Sequence, residues 1–166
     1  MAQVVEKKAL LIDWLRDAYG LERGLTQVLD NQAKRAQMFP DVRSKIQSHL
    51  EETRIHAEMV KGCIERLGAN VSRLKSGAAA VFGEIQSQSL TSSPVNVVRD
   101  AIMSTAAEQM EIATYRAIIT LAEDIGDEET VKTCKDILKD EERMHKWLEK
   151  DLPDLVHEAV TKAELK

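Results

Sequence analysis

The sequence predicts an all-α protein, a four-helix bundle made of two long helical hairpins joined by one long crossover. Three observations predict it. The composition favours helix, with only 7 Gly, 3 Pro and 4% aromatic residues in 166. Apolar residues recur three and four apart over stretches much longer than a strand. The three Pro residues, together with Gly68 and Gly126, fall at the ends of those stretches and mark where helices start and stop.

The first helix is expected over about 4–38, with Leu11, Leu15, Ala18, Glu22, Leu25 and Leu29 on one stripe, and Phe39-Pro40 ends it. Pro40 and Asp41 open a second helix, about 41–67, which carries Val42, Ile46, His49, Val60, Ile64 and Leu67 and stops at Gly68. Residues 69–93 mix a short apolar centre with small and polar residues, consistent with a crossover holding a short helix at about 73–88. Ser93-Pro94 reads as N-cap and first position of a third helix, about 94–125, with Val98, Ala101, Ile102, Thr105, Ile112, Tyr115, Ile119 and Ala122 inward. Gly126 stops it, and Asp127 caps a fourth, about 128–152, with Val131, Cys134, Ile137, Leu138, Met144, Leu148 and Leu152 inward. Pro153 is expected to break this helix before a short charged helix in the tail, 153–166. The length suits one domain, 1–166, built as a bundle with one long connection.

Composition also narrows the partners. A net charge of −5 argues against non-specific attraction to nucleic acid or anionic lipid. No apolar run reaches the roughly 20 residues that span a bilayer, and the start, MAQVVEKKALLIDW, has charges where a signal peptide needs an apolar core. The expected setting is the cytoplasm, with neither nucleic acid nor membrane as partner. Cys63 and Cys134 lack a CxxC companion and read as two buried thiols.

Acids and imidazoles fall on the inward faces. On the second helix Glu52 and His56 are four apart and share a face with His49, Met59 and Cys63; on the fourth, Glu141 and His145 repeat that spacing. Glu108 and Glu111 lie between Thr105 and Tyr115 on the third helix, and Glu22 lies on the first. One buried glutamate is usually a hydrogen-bonded core residue or one that reaches solvent. Five cannot be carried that way, since an unpaired buried ion costs several kcal/mol and a domain has only about 5–15 kcal/mol of net stability. No row of Lys or Arg matches them, so protons, solvent or bound cations must compensate.

Spacing favours cations. Thirty residues separate Glu22 from Glu52 and Glu111 from Glu141, and one offset of 89 carries Glu22, Glu52 and His56 onto Glu111, Glu141 and His145. Bundles that hold two iron or manganese ions use this inventory, four carboxylates and two imidazoles. Four carboxylates neutralise two divalent ions, which leaves Glu108 surplus, either a further ligand or an acceptor behind the ligands. Tyr19 and Tyr115 are placed to donate to ligand carboxylates or simply to pack. His49 is expected behind the ligands or near the surface, and His157 in solvent.

The stretches LRDAYGLERGL, HLEETRIHAEMV, AEQMEIATYRAIITLAEDIG and DEERMHKWL resemble the ferritin-like superfamily, and more closely the YciF-like stress-associated bacterial proteins, over nearly the whole chain. The resemblance implies a small dimeric bundle with a di-metal site. The pair Glu108 and Glu111, followed by Tyr115, is also similar to the third helix of rubrerythrin, a peroxide-reducing di-iron protein. The usual signature has Glu and His three apart, which Glu142 with His145 satisfies, so Glu142 stands as the alternative to Glu141; on the second helix Thr53 occupies that position. YciF-like relatives often have a non-His residue at the place of His56 and an acid at that of His145. Rubredoxin-like Cys pairs are missing, so peroxide reduction would need an external reductant.

The expected function is a ferritin-like di-metal protein of the bacterial stress response that binds Fe(II) and reduces peroxide or dioxygen, a ferroxidase- or peroxidase-type oxidoreductase. Glu52 and Glu141 would bridge, Glu22 and Glu111 cap, and His56 and His145 hold one metal each. Two irons per chain are expected; Glu and His suit manganese equally, and zinc can substitute. The alternative is a non-enzymatic structural or stress-interaction bundle whose metal site is vestigial or stabilising.

Overall fold

The computed structural model describes residues 2–71 and 93–164, and all four expected long helices are there. They are α1 (Ala2–Arg35), α2 (Pro40–Arg66), α3 (Pro94–Ile125) and α4 (Glu128–Glu164). A 3₁₀ turn, Ala36–Met38, links α1 to α2. The short helix expected at 73–88 lies outside the described residues. α1 packs most extensively on α2 and α3 on α4, while α1–α3 and α2–α4 contacts close the square and the diagonal pairs meet only through side chains.

The ends follow from backbone chemistry. Gly68 and Gly126 adopt φ of 82° and 74°, where a Cβ is disfavoured. The next amides, of Ala69 and Asp127, return to the carbonyls of Ile64 and Ala122 at 3.1 and 2.9 Å, so each helix closes on its last carbonyls. Asp127 then caps α4 by accepting from the Thr130 amide (3.3 Å) and hydroxyl (2.7 Å). Ser93 has the extended backbone of an N-cap with Pro94 behind it, but its hydroxyl makes no capping bond.

Two expectations are corrected. α4 does not break at Pro153 but continues to Glu164. Leu155 and Ala159 are buried in one cluster with Leu29, Ala33, Ala36 and Phe39, and Lys162 stands over the Phe39 ring. Burying one Leu contributes about 1.5–3 kcal/mol, comparable with the roughly 3 kcal/mol cost of an interior Pro. Pro153 itself is exposed, where the carbonyl it leaves unpaired can be hydrated. Ile102, expected inward, is 51% exposed, because the inward line of α3 runs through Val97, Ala101, Ser104, Glu108, Glu111 and Tyr115.

The core is layered. One apolar block holds Leu11, Leu15, Val60, Ile64, Ile118 and Ile137. Another holds Leu29, Phe39, Ile46, Leu50, Val97 and Leu148. In sequence, Glu22, His56, Glu108, Glu111 and Glu141 lie between the segments that build the two blocks, and His49 and His145 fall at the near edge of the second.

Candidate metal centre

Each helix brings its own share to that middle layer. His49 and His56 are seven residues apart, two turns, so they point along one line of α2; Glu108 and Glu111 are three apart on α3; Glu22 comes from α1 and Glu141 from α4. All six are at most 2% exposed.

They form two groups, Glu22–His56–Glu141 and His49–Glu108–Glu141, each with donor atoms within 4.8 Å of one another. In the first, His56 Nδ1 lies 2.8 Å from Glu141 Oε1 and 3.7 Å from Glu22 Oε1. In the second, His49 Nε2 lies 3.1 Å from Glu108 Oε1 and 3.7 Å from Glu141 Oε2. Glu141 therefore turns one oxygen to each group, the disposition of a carboxylate shared by two cations. Tyr115 donates to Glu22 Oε1.

Donor capacity in this layer is largely unused. Among the described residues, the buried side-chain atoms that meet no partner in good hydrogen-bond geometry are Glu22 Oε2, His56 Nδ1, Glu108 Oε2, both oxygens of Glu111, both of Glu141, and His145 Nδ1, the 2.8 Å approach of His56 to Glu141 being an ion-pair contact. All belong to residues nominated from the sequence. Leaving such an atom unsatisfied costs about 1–3 kcal/mol, more when it is charged, so the donor set fits bound cations.

Electrostatics agrees. Burial, reinforced by the charge of Glu141, pushes the Glu22 carboxyl up to about 8. Burial likewise lifts Glu108 to about 7 against the pull of His49. Glu111 rises well above the ordinary 4.5 through burial and the charges of Glu141, Glu22 and Glu108. Burial would lower His49, but Glu108, Glu141 and Glu52 outweigh it and raise the imidazole to about 9; His56 is raised in the same way, chiefly by Glu141. Without cations, the layer compensates its crowded carboxylates with protons.

Four nominated residues stand outside both groups: Glu111, which stays buried beside them, and three that turn elsewhere. Glu52 is 26% exposed, with Oε2 3.3 Å from His49 Nδ1 and Oε1 2.8 Å from Arg143. His145 directs Nε2 outward, to the Gln109 amide (2.5 Å) and Glu149 (3.4 Å). Glu142, the alternative to Glu141, pairs with Arg116 at 2.7 Å on the exterior. Conversely His49, expected behind the ligands or near the surface, is buried in the second group. The signal for it was the line of His49, His56 and Cys63 at seven-residue spacing. Asp140 was also missed: its Oδ2 lies 3.2 Å from His56 Nε2 and its Oδ1 2.6 Å from Arg143. Tyr19 is half-buried against the core, His157 is exposed, and both cysteines are buried and free, burial pushing the Cys134 thiol up.

Fold and centre together define a ferritin-like helical bundle with a buried carboxylate–histidine layer. The chain belongs to the family described as "Domain of unknown function (DUF892)", whose profile matches residues 6–161. Protein YciF of Escherichia coli (strain K12) is 32% identical over 136 residues, 80% of this chain and 81% of that protein. The crystal structure of the E. coli stress protein YciF superposes with a TM-score of 0.79 at 25% identity, covering 91% of this chain and 97% of that one. A protein of Xanthomonas campestris pv. campestris gives 0.81 at 27% identity, covering 96% and 99%. The fold also matches a dodecameric thioferritin of Bacteroides fragilis, with a TM-score of 0.72 at 22% identity over 96% and 92% of the chains. No described helix is long and apolar enough to cross a membrane.

Proposed function

We propose that the buried layer binds two divalent transition-metal ions, iron in the cell, and that the protein acts in the bacterial stress response as a ferroxidase- or peroxidase-type oxidoreductase. The observation that carries this reading is the set of unpartnered buried donor atoms, divided into two groups that share Glu141. Glu22 and His56 would hold one ion, His49 and Glu108 the other, with Glu141 between them and Glu111 supplying two further oxygens. The inventory is the four carboxylates and two imidazoles expected, with Glu108 and His49 in the places of Glu52 and His145, and four negative charges balance two divalent ions. Manganese suits the same donors and zinc can substitute.

Bound iron would supply electron transfer to peroxide or dioxygen. The chain's own contribution is positional and protonic. The apolar blocks on either side keep water from the layer, and Tyr115 holds Glu22 through its hydroxyl. Glu22, Glu108 and Glu111 would give up their protons on holding a cation. With only two separate, buried cysteines, electrons for turnover come from an external reductant.

The protein works as a homodimer in this reading. Between Ile102 and Thr120 the exposed face of α3 carries one charge, Arg116, and presents Ile102, Met103 and Met110. A helix apolar all round is covered on both sides, and chains of net charge −5 meet best where charge is lowest. The cytoplasm suits the two free thiols.

Anaerobic Fe(II) titration of metal-stripped protein, followed by peroxide, tests the function. Two irons per chain that oxidise rapidly on peroxide addition, with loss of the second equivalent in Glu108→Ala, are expected. Stoichiometric binding without peroxide consumption would leave a stabilising metal site in a structural protein, and no binding would refute the metal reading altogether.

A further inference from the structure

We infer that Arg143 is the positioning residue for both histidines of the metal layer, acting through Glu52 and Asp140. The inference rests on the metal-binding reading above, but its geometry stands by itself. His49 turns Nε2 inward, toward Glu108 and Glu141, and Nδ1 outward, 3.3 Å from Glu52 Oε2. His56 uses the opposite nitrogens: Nδ1 faces Glu22 and Glu141, and Nε2 lies 3.2 Å from Asp140 Oδ2. Each outer carboxylate spends its second oxygen on the same guanidinium. Arg143 Nη2 is 2.8 Å from Glu52 Oε1, and Nη1 is 2.6 Å from Asp140 Oδ1. The five side chains form one string, His49–Glu52–Arg143–Asp140–His56, across the rim between α2 and α4.

A carboxylate that accepts the outward N–H of an imidazole fixes the ring and leaves the inward nitrogen's lone pair for a cation. Without it, a ring can turn its bound proton inward. Glu52 and Asp140 are part-exposed, and an ordinary exposed ion pair would hold them only weakly. A planar, two-pronged guanidinium that grips both at once does more, because neither carboxylate can swing into solvent without releasing a prong. Lysine cannot reproduce this, since its single ammonium is a point charge. Glu52, nominated from the sequence as a bridging ligand, thereby acquires a different task, as does Asp140, which the sequence did not flag.

Arg116 provides an internal control. It pairs with Glu142 at 2.7 Å between α3 and α4, also part-exposed, yet that pair touches no inward-facing histidine. The experiment compares the parent chain with Arg143→Met, Arg143→Lys and Arg116→Met by two readouts. The first is the imidazole carbon–proton NMR signals of His49 and His56 in metal-free protein. The second is Mn(II) affinity by calorimetry.

The parent and Arg116→Met should each give one sharp ring signal per histidine and equal affinity. Arg143→Met should split or broaden both rings and weaken Mn(II) binding about 10- to 100-fold, with Arg143→Lys in between. Sharp rings in Arg143→Met overturn the proposal, whether its affinity is unchanged or reduced, since any loss would then not run through ring orientation. Ring disorder in Arg143→Met with no Mn(II) binding by the parent would support the positioning role while removing the metal reading.

Discussion

Replacing Glu111 by glutamine should stabilise the metal-free protein. Both carboxyl oxygens are buried without a partner, so the amide loses no hydrogen bond and keeps nearly the same shape. The folded chain holds Glu111 well above its ordinary 4.5, through burial first and the charges of Glu141, Glu22 and Glu108 next. A carboxyl raised on folding contributes no penalty below the unfolded value, and its penalty grows as pH rises toward the folded one. At pH 7 this penalty can reach at most about 3 kcal/mol, at 1.36 kcal/mol for each of the roughly 2.5 pH units between 4.5 and 7. At pH 5 the same cost is under about 1 kcal/mol. Glu111→Gln removes the cost, so its thermal midpoint in chelator should exceed the parent's by up to about 6–12 °C at pH 7 and by little at pH 5. The metal-induced rise in midpoint should shrink in the same variant, which lacks a negative donor. Calorimetric scans at both pH values, with chelator and with Mn(II), read all four quantities. A variant no more stable than the parent at pH 7, or an advantage of the same size at pH 5, would refute the reasoning.

Leu155→Ala should cost about 2–5 kcal/mol by chemical denaturation, since Leu155 is buried where α4 continues past Pro153; a surface-like loss under about 0.5 kcal/mol would show the segment to be unpacked. Asp127→Ala should lose about 1 kcal/mol at pH 7 through the α4 cap. Burial would raise Asp127, but the Arg66 and Thr130 hydrogen bonds outweigh it and hold the carboxyl below 3.8, so this stability is present above 3.8 and the gap between variant and parent closes as pH falls through the folded value. Ile102→Glu should leave the thermal midpoint of the chain nearly unchanged at low protein concentration while shifting sedimentation from dimer to monomer; a dimer that persists would move the interface away from α3.

The helices could be read from the sequence because their ends are chemically distinct: Pro40, Gly68, Pro94 and Gly126 each act through a local backbone constraint. Pro153 did not follow that rule because a tertiary contact, Leu155 and Ala159 against the far end of α1, outweighed a local preference. In the centre, Glu22, His56, Glu108, Glu111 and Glu141 were recognisable because acids on an apolar stripe need compensation. Glu52 and His145 stand outside the two groups for a common reason. Neighbours four apart on a helix are rotated by about 40°, whereas residues seven apart differ by only about 20°. On α2 the buried line is His49, His56 and Cys63, and on α4 it is Cys134, Glu141 and Leu148, so Glu52 and His145 each fall one step to the side. An offset of 89 preserves sequence spacing but not that rotation, and a repeat in residue type proved a weaker guide than the line of burial.

The placement of the acid layer between two apolar blocks has a consequence for how the metal-free chain breathes. Each block can keep its own contacts while the middle loosens, because the cohesive groups lie at the two ends and the repulsive ones between them. Native-state hydrogen exchange in chelator should therefore divide the bundle into two protected regions separated by a faster belt at the level of Glu22, His56, Glu111 and Glu141. Filling the belt with cations would fuse the regions into one cooperative unit, so that occupancy of the centre is reported by amides along all four helices.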